Sequence, residues 1–314
     1  MTAISRRRAL TVLALILAAG GCGSADHHAR SRSLTIAAGD PGGLYVEFAQ
    51  LLAKQLTGQE PWLHVQHPEI TNGSMDNLHR LAEKKADVAL ATVDAAQVIA
   101  DGPGWMRAIG RIYEDYLQLV VLADSPIGSL ADLAGHTVSL GAPGSGAELE
   151  GVRLLAAAGL PTGAVTVRPH RLAEAITALE TGGVDALLWS GGVPTPALTE
   201  FSKRRAIRLL PLTEILPALA KMYGSFYQAA TVPAAVYGPA AEVSTIGIVN
   251  LLLCRADTDP ATTSAIARVL VIRAADLVPQ QVLGTQFLDP YSLIATEGIP
   301  LHPGAAEAYR ELHG

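Results

Sequence analysis

Cysteine is almost missing from this chain of 314 residues: Cys22 and Cys254 are the only two. Cys22 ends an apolar leader, which leaves Cys254 without a partner and excludes an intramolecular disulfide framework. Cys254 itself closes the apolar run Val249–Cys254 and reads as a small buried hydrophobe. Positive charge is also scarce. Setting aside residues 1–21 lowers Lys+Arg from 23 to 20 against 29 Asp+Glu, a net charge near −9. An acidic body of this kind does not favour nucleic acid, and none is expected as a partner. Catalytic signatures are missing too: there is no G-x-S-x-G elbow, no phosphate-binding G-x-x-x-x-G-K-[ST], no H-E-x-x-H and no paired C-x-x-C. The glycines at 39–43 do not form G-x-G-x-x-G, and the nine histidines are scattered away from the glycine loops. No cofactor is implied, and the expected role is binding rather than catalysis.

Residues 1–21 read as a signal peptide, with Arg6-Arg7-Arg8 ahead of an apolar run from Ala9 to Ala19 that is too short to span a bilayer. No second long apolar segment follows. Ala18-Ala19-Gly20-Gly21-Cys22 resembles a lipobox, which would make Cys22 the lipidated first residue of a protein held at the outer face of the cell membrane. Ser5–Leu10 also resembles a twin-arginine export signal, an ordinary charged n-region being the plainer alternative. The small polar residues of the 22–33 stretch suit a flexible tether. Asp26, His27 and His28 within it lack the further spaced ligands that a metal site needs.

Beyond the tether the chain repeats itself. Thr35–Gly43 and Thr137–Ser145 share the order strand, G-x-P-G-small, then an apolar-periodic helix, about 100 residues apart. Each copy later carries an Asp before an apolar strand, in Lys85-Ala86-Asp87-Val88 and Gly183-Val184-Asp185-Ala186. The first helix places Phe48, Leu51, Leu52 and Leu56 on one face, and its counterpart from Ala147 to Ala158 places Leu149, Val152 and Leu155 inward. Ser74 is a natural N-cap for the helix carrying Met75 and Leu78. Leu117–Leu122 and Val249–Arg255 read as two strands crossing between halves. The expected fold is α/β: two similar lobes with mixed sheets flanked by helices, a two-strand hinge and a cleft between. Lobe 1 comprises 34–118 with 252–314, and lobe 2 comprises 119–251.

Two glycine-rich loops at helix N-termini, aimed across one cleft, make a clamp for a small anion. Gly42, Gly43, Gly144 and Gly146 allow backbone close to a ligand. Asn72, Ser74, Thr92, Ser145 and Thr195 can orient donors, with Tyr45 and Trp189 as walls. The series Gly39–Tyr45, Asn72–Leu78, Ala86–Leu90, Gly141–Gly146, Asp185–Trp189 and Gly192-Val193-Pro194-Thr195-Pro196 resembles the TAXI family of TRAP-transporter solute-binding proteins. That resemblance runs from about Leu34 to Leu270 and adds Val193 to the candidate site. It implies a type II periplasmic-binding-protein fold, a carboxylate-bearing solute such as glutamate, and a TRAP-type membrane permease as partner. Ala147 stands where the family usually has Thr, and Thr92 where Gln is common, so the family's ligand does not transfer directly. A sensor for another membrane protein is the competing reading. An exported hydrolase using Ser145 or Ser190 is the more distant one.

Overall fold

A computed structural model describes residues 31–99, 104–238, 241–279 and 291–313; the expected signal peptide, Cys22 and most of the tether lie outside them. The chain opens with β1 (Arg32–Leu34), β2 (Ile36–Gly39), α1 (Leu44–Gln59), β3 (Leu63–Val65) and β4 (Glu69–Ile70). Next come α2 (Ser74–Ala82), β5 (Val88–Thr92) and α3 (Val93–Ile99). The long strand β6 (Met106–Leu122) leads into β7 (Thr137–Ser139), α4 (Gly146–Ala157), β8 (Thr166–Val167), α5 (Leu172–Thr181) and β9 (Ala186–Gly191). After α6 (Pro196–Arg204), β10 (Ile207–Leu210), α7 (Leu216–Tyr223) and β11 (Tyr227–Val232), strand β12 (Val243–Arg255) returns to the first half. There α8 (Pro260–Ile272) and α9 (Pro303–His313) complete the layer of helices.

One mixed sheet runs through both halves in the order β4-β2-β5-β12-β6-β9-β7-β8, with β10 added to β6 and β11 to β12. Its middle is the antiparallel pair β6 and β12, the two crossing strands expected from sequence. Arg32 and Ser33, expected at the end of the tether, are instead strand residues paired with Leu63 and His64.

The internal repeat appears in matching hydrogen bonds. Thr35 N–H donates to Asp87 Oδ2 at 2.8 Å, and Thr137 N–H donates to Asp185 Oδ2 at 2.8 Å. Each aspartate returns a bond from its own N–H to the same threonine carbonyl, at 3.0 and 2.7 Å. The carboxylate thus ties the start of one parallel strand to the start of its neighbour, β2 to β5 and β7 to β9.

Helix burial follows the 3.6-residue period in most places. α1 buries Phe48, Leu52 and Leu56, with Leu51 half-buried, and α5 buries Leu172, Ala175, Ile176 and Leu179. α4 departs from expectation: Val152 is 56 % exposed, Leu149 and Leu155 are half-buried, and the inward face is Ala147, Glu150, Gly151 and Leu154. The reason is close packing. A Cβ on Gly151 would meet the Leu140 side chain at 2.9 Å, so the helix lies too near the sheet for large residues there. Cys254 is fully buried as expected, and burial pushes its thiol up to about 12.

Candidate functional site

The first residues of four helices line one cleft: Leu44 of α1, Ser74 of α2, Gly146 of α4 and Leu172 of α5. Two come from each copy of the repeat, so four positive helix ends face one space. The cleft is closed. Asp76 N–H on one side donates to Gly144 O on the other at 3.0 Å. Arg171, at the N-cap of α5, reaches across to Asn72 Oδ1 at 2.5 Å, Thr71 O at 3.3 Å and Asp40 Oδ2 at 3.5 Å. Burial raises the Asp40 pKa, while Arg171 and the Leu172 N–H draw it back toward the ionised form. About 50 Å³ remains for the centres of water molecules.

The floor is polar and acidic. Tyr45 donates its hydroxyl proton to Asn250 Oδ1 on β12, and its oxygen lies 3.1 Å from Ser74 Oγ. Ser74 in turn accepts from Thr92 N–H at 3.2 Å. Ser74 is therefore the first helical residue and not the cap; Gly73 holds that position at φ +111°, a conformation that glycine alone adopts freely. Asp115 on β6 also lines the cleft; it is 4 % exposed, and its Oδ1 has no hydrogen-bond partner. Burial pushes its carboxyl up to about 7, the neighbouring Asn250 amide opposing and Asp94 reinforcing the rise. Fully buried Glu150 lies behind Gly146, beside Ser190, and burial followed by the Asp94 charge drives its pKa well up. Asp94 is matched: Arg153 Nη1 and Tyr227 OH meet its Oδ2 at 3.1 and 2.8 Å.

Of the residues expected from sequence, Gly43, Tyr45, Asn72, Ser74, Thr92, Ser145, Gly146 and Trp189 line this cleft together. Four others do not. Gly42 is exposed in the turn before α1 at φ +88°. Gly144 contributes backbone closure: its carbonyl takes Asp76 N–H, and its own N–H donates to Glu148 Oε2 at 2.7 Å. Val193 is buried away from the walls, and Thr195 joins a buried network in which Gln118 Nε2 donates to its Oγ1 at 3.2 Å and its N–H donates to Tyr237 OH at 2.7 Å. Ser145 is partly committed as well, since its Oγ caps Glu148 N–H at 3.0 Å.

Asp40, Asp115, Glu150 and Arg171 were missed by sequence reasoning. Asp115 falls two residues ahead of the expected crossing strand Leu117–Leu122, where the sequence pattern did not mark it. Arg171 had none, because its role depends on the cleft having closed.

The chain's sequence from residue 36 to residue 312 matches a single protein-family profile. It belongs to the NMT1-like family. Solved structures similar to this NMT1-like protein share its fold at low identity. A protein from Bordetella bronchiseptica RB50 is 16% identical with a TM-score of 0.57, over 90% of this chain and 98% of its own. A putative L-cystine ABC transporter from Listeria monocytogenes is 14% identical with a TM-score of 0.55, over 82% and 98%. The alkanesulfonate-binding protein SsuA from Xanthomonas axonopodis pv. citri, bound to MOPS, is 17% identical with a TM-score of 0.50, over 90% and 84%. The fold is that of periplasmic binding proteins, a mixed α/β sheet flanked by helices around an interlobe cleft.

Proposed function

We infer that this NMT1-like protein is an extracytoplasmic solute receptor that closes lobe 1 (34–118 with 252–314) and lobe 2 (119–251) over a small organic anion. The observation that carries this reading is the convergence of four helix N-termini, two from each repeat, on one cleft. A carboxylate or an amino acid fits that field. Lipidation at Cys22 would hold the receptor beside a membrane permease. The glycine-loop motifs support a TRAP-type permease. The fold likeness to proteins named for ABC import supports an ABC-type permease as second reading. No catalytic step belongs to the reading, since Ser145 caps a helix and no described histidine lines the cleft.

A thermal-shift screen of the purified full-length chain against mono- and dicarboxylates, amino acids, sulfonates, phosphate and sugars tests it. A solute at 100 times its dissociation constant adds about 2.7 kcal/mol, a rise of several degrees. Silence across the whole panel sinks the receptor reading. Uptake into vesicles carrying the permease then separates the partners: an ion gradient alone drives it in the first case, ATP in the second.

A further inference from the structure

The helix N-termini account for an anion, but they leave the floor of the same cleft unexplained. An anion site gains nothing from an ionised Asp115 against its ligand. Yet Asp115 lines the space, and beneath that surface its Oδ1 is buried without a hydrogen bond of good geometry, the Asn250 amide lying beside it. Asn250 Oδ1 is fixed by the Tyr45 hydroxyl, which leaves the amide nitrogen on the side of Asp115. The charges elsewhere are matched, Asp40 by Arg171 and Asp94 by Arg153. Asp115 is the surplus, since burial favours the neutral form of Glu150. Among the described residues no three His, Cys, Asp or Glu side chains converge as a metal site. A cleft positive at its helix ends and acidic at its floor has two poles.

We propose that the ligand is a short zwitterion, its acidic group on the helix N-termini and its ammonium group on Asp115. This rests on the receptor reading and names its solute class. The ammonium gives the ionised Asp115 carboxylate a counter-charge inside the cleft. Glycine and alanine are the smallest solutes that carry both groups. Trp189, whose indole Nε1 also lacks a partner, closes the wall next to Gly43.

Calorimetric titration of the full-length chain compares glycine with acetate, L-alanine and β-alanine with propionate, and adds methylammonium. The expected result is at least tenfold tighter binding of an amino acid than of its deaminated partner. Asp115→Asn removes that preference. The wild-type pH profile needs no variant. Asp115 faces Asp94 on α3, Glu150 on α4, Tyr45 on α1, Tyr113 on its own strand and Asn250 on β12. Its ionised fraction rises from roughly one-tenth to nine-tenths between pH 6 and 8, so glycine affinity tightens by up to about tenfold across that range. Acetate binding as tightly as glycine overturns the proposal and leaves the receptor intact. A preference that survives Asp115→Asn, or glycine affinity that weakens as pH rises, also overturns it; the latter outcome would mean that protonated Asp115 donates to the ligand's acid. If only larger or non-amino solutes of the screen bind, the proposal fails alone, and if nothing binds, both fail.

Discussion

Replacing Asp115 with Asn should flatten the pH dependence of stability in the ligand-free protein. The folded state holds this carboxyl at about 7 against 3.8 for the free group. A difference of roughly three units at 1.36 kcal/mol each amounts to about 4 kcal/mol. The sign follows from proton counting. Between the two values the folded chain binds more protons than the unfolded one, so stability is full at acid pH and is lost as pH climbs through the folded value. About 2.7 kcal/mol of that loss should fall between pH 5 and pH 8. Asn keeps the shape and carries no charge, so the variant should lose stability at pH 5 relative to wild type far more than at pH 8. Urea unfolding at the two pH values reads the effect directly. Glu150 is shifted in the same direction and remains in the variant, so a smaller slope should persist. An Asp115→Asn protein whose stability falls with pH as steeply as wild type would refute the burial argument and the acidic floor with it.

Further outcomes follow from other parts of the structure. Arg171→Ala removes the bonds to Asn72, Thr71 and Asp40 that hold the cleft shut; small-angle scattering should show a larger radius of gyration without ligand, and an unchanged radius would mean the arginine is no latch. Asp87→Ala and Asp185→Ala each lose a carboxylate bond to a strand N–H, at a cost of about 1.5 kcal/mol. Denaturant midpoints should fall by similar amounts in the two variants, and a large asymmetry would argue against equivalent roles in the repeat. Gly141→Ala puts a side chain at φ +102° and its Cβ 2.6 Å from Ser145 Oγ, costing about 1–3 kcal/mol; a melting temperature within a degree of wild type would show that the loop relaxes freely.

Much of the architecture was legible because local signals repeated. The glycine loops, the aspartate before each second strand and the apolar period of α1 and α5 all reflect contacts made within one copy of the unit. The inward face of α4 was not legible, because Glu150 and Gly151 break the rule that large apolar residues mark burial. One serves the cleft floor, the other lets helix and sheet approach. Ser74 has the composition of a cap but donates its hydroxyl to a network built from Tyr45, Thr92 and Asn250, residues from three other elements. Thr195 and Val193 sit near the cleft in sequence terms, beside Trp189, yet the chain turns them into the core of the second half. Asp40 and Arg171 become a pair only when distant segments meet.

The central pair of strands also sets how far this protein can be taken apart. β6 and β12 pair with each other and with strands of both halves, and β12 is apolar and fully buried from Thr245 to Cys254. Cutting the chain between the two copies of the repeat would strip one long strand from the other and leave each piece with a bare, greasy sheet margin. Such margins recruit further strands from other molecules. The duplicated unit therefore survives here as a half that has lost its independence: expressed alone it should aggregate, and only co-expression with its complement should return a soluble sheet.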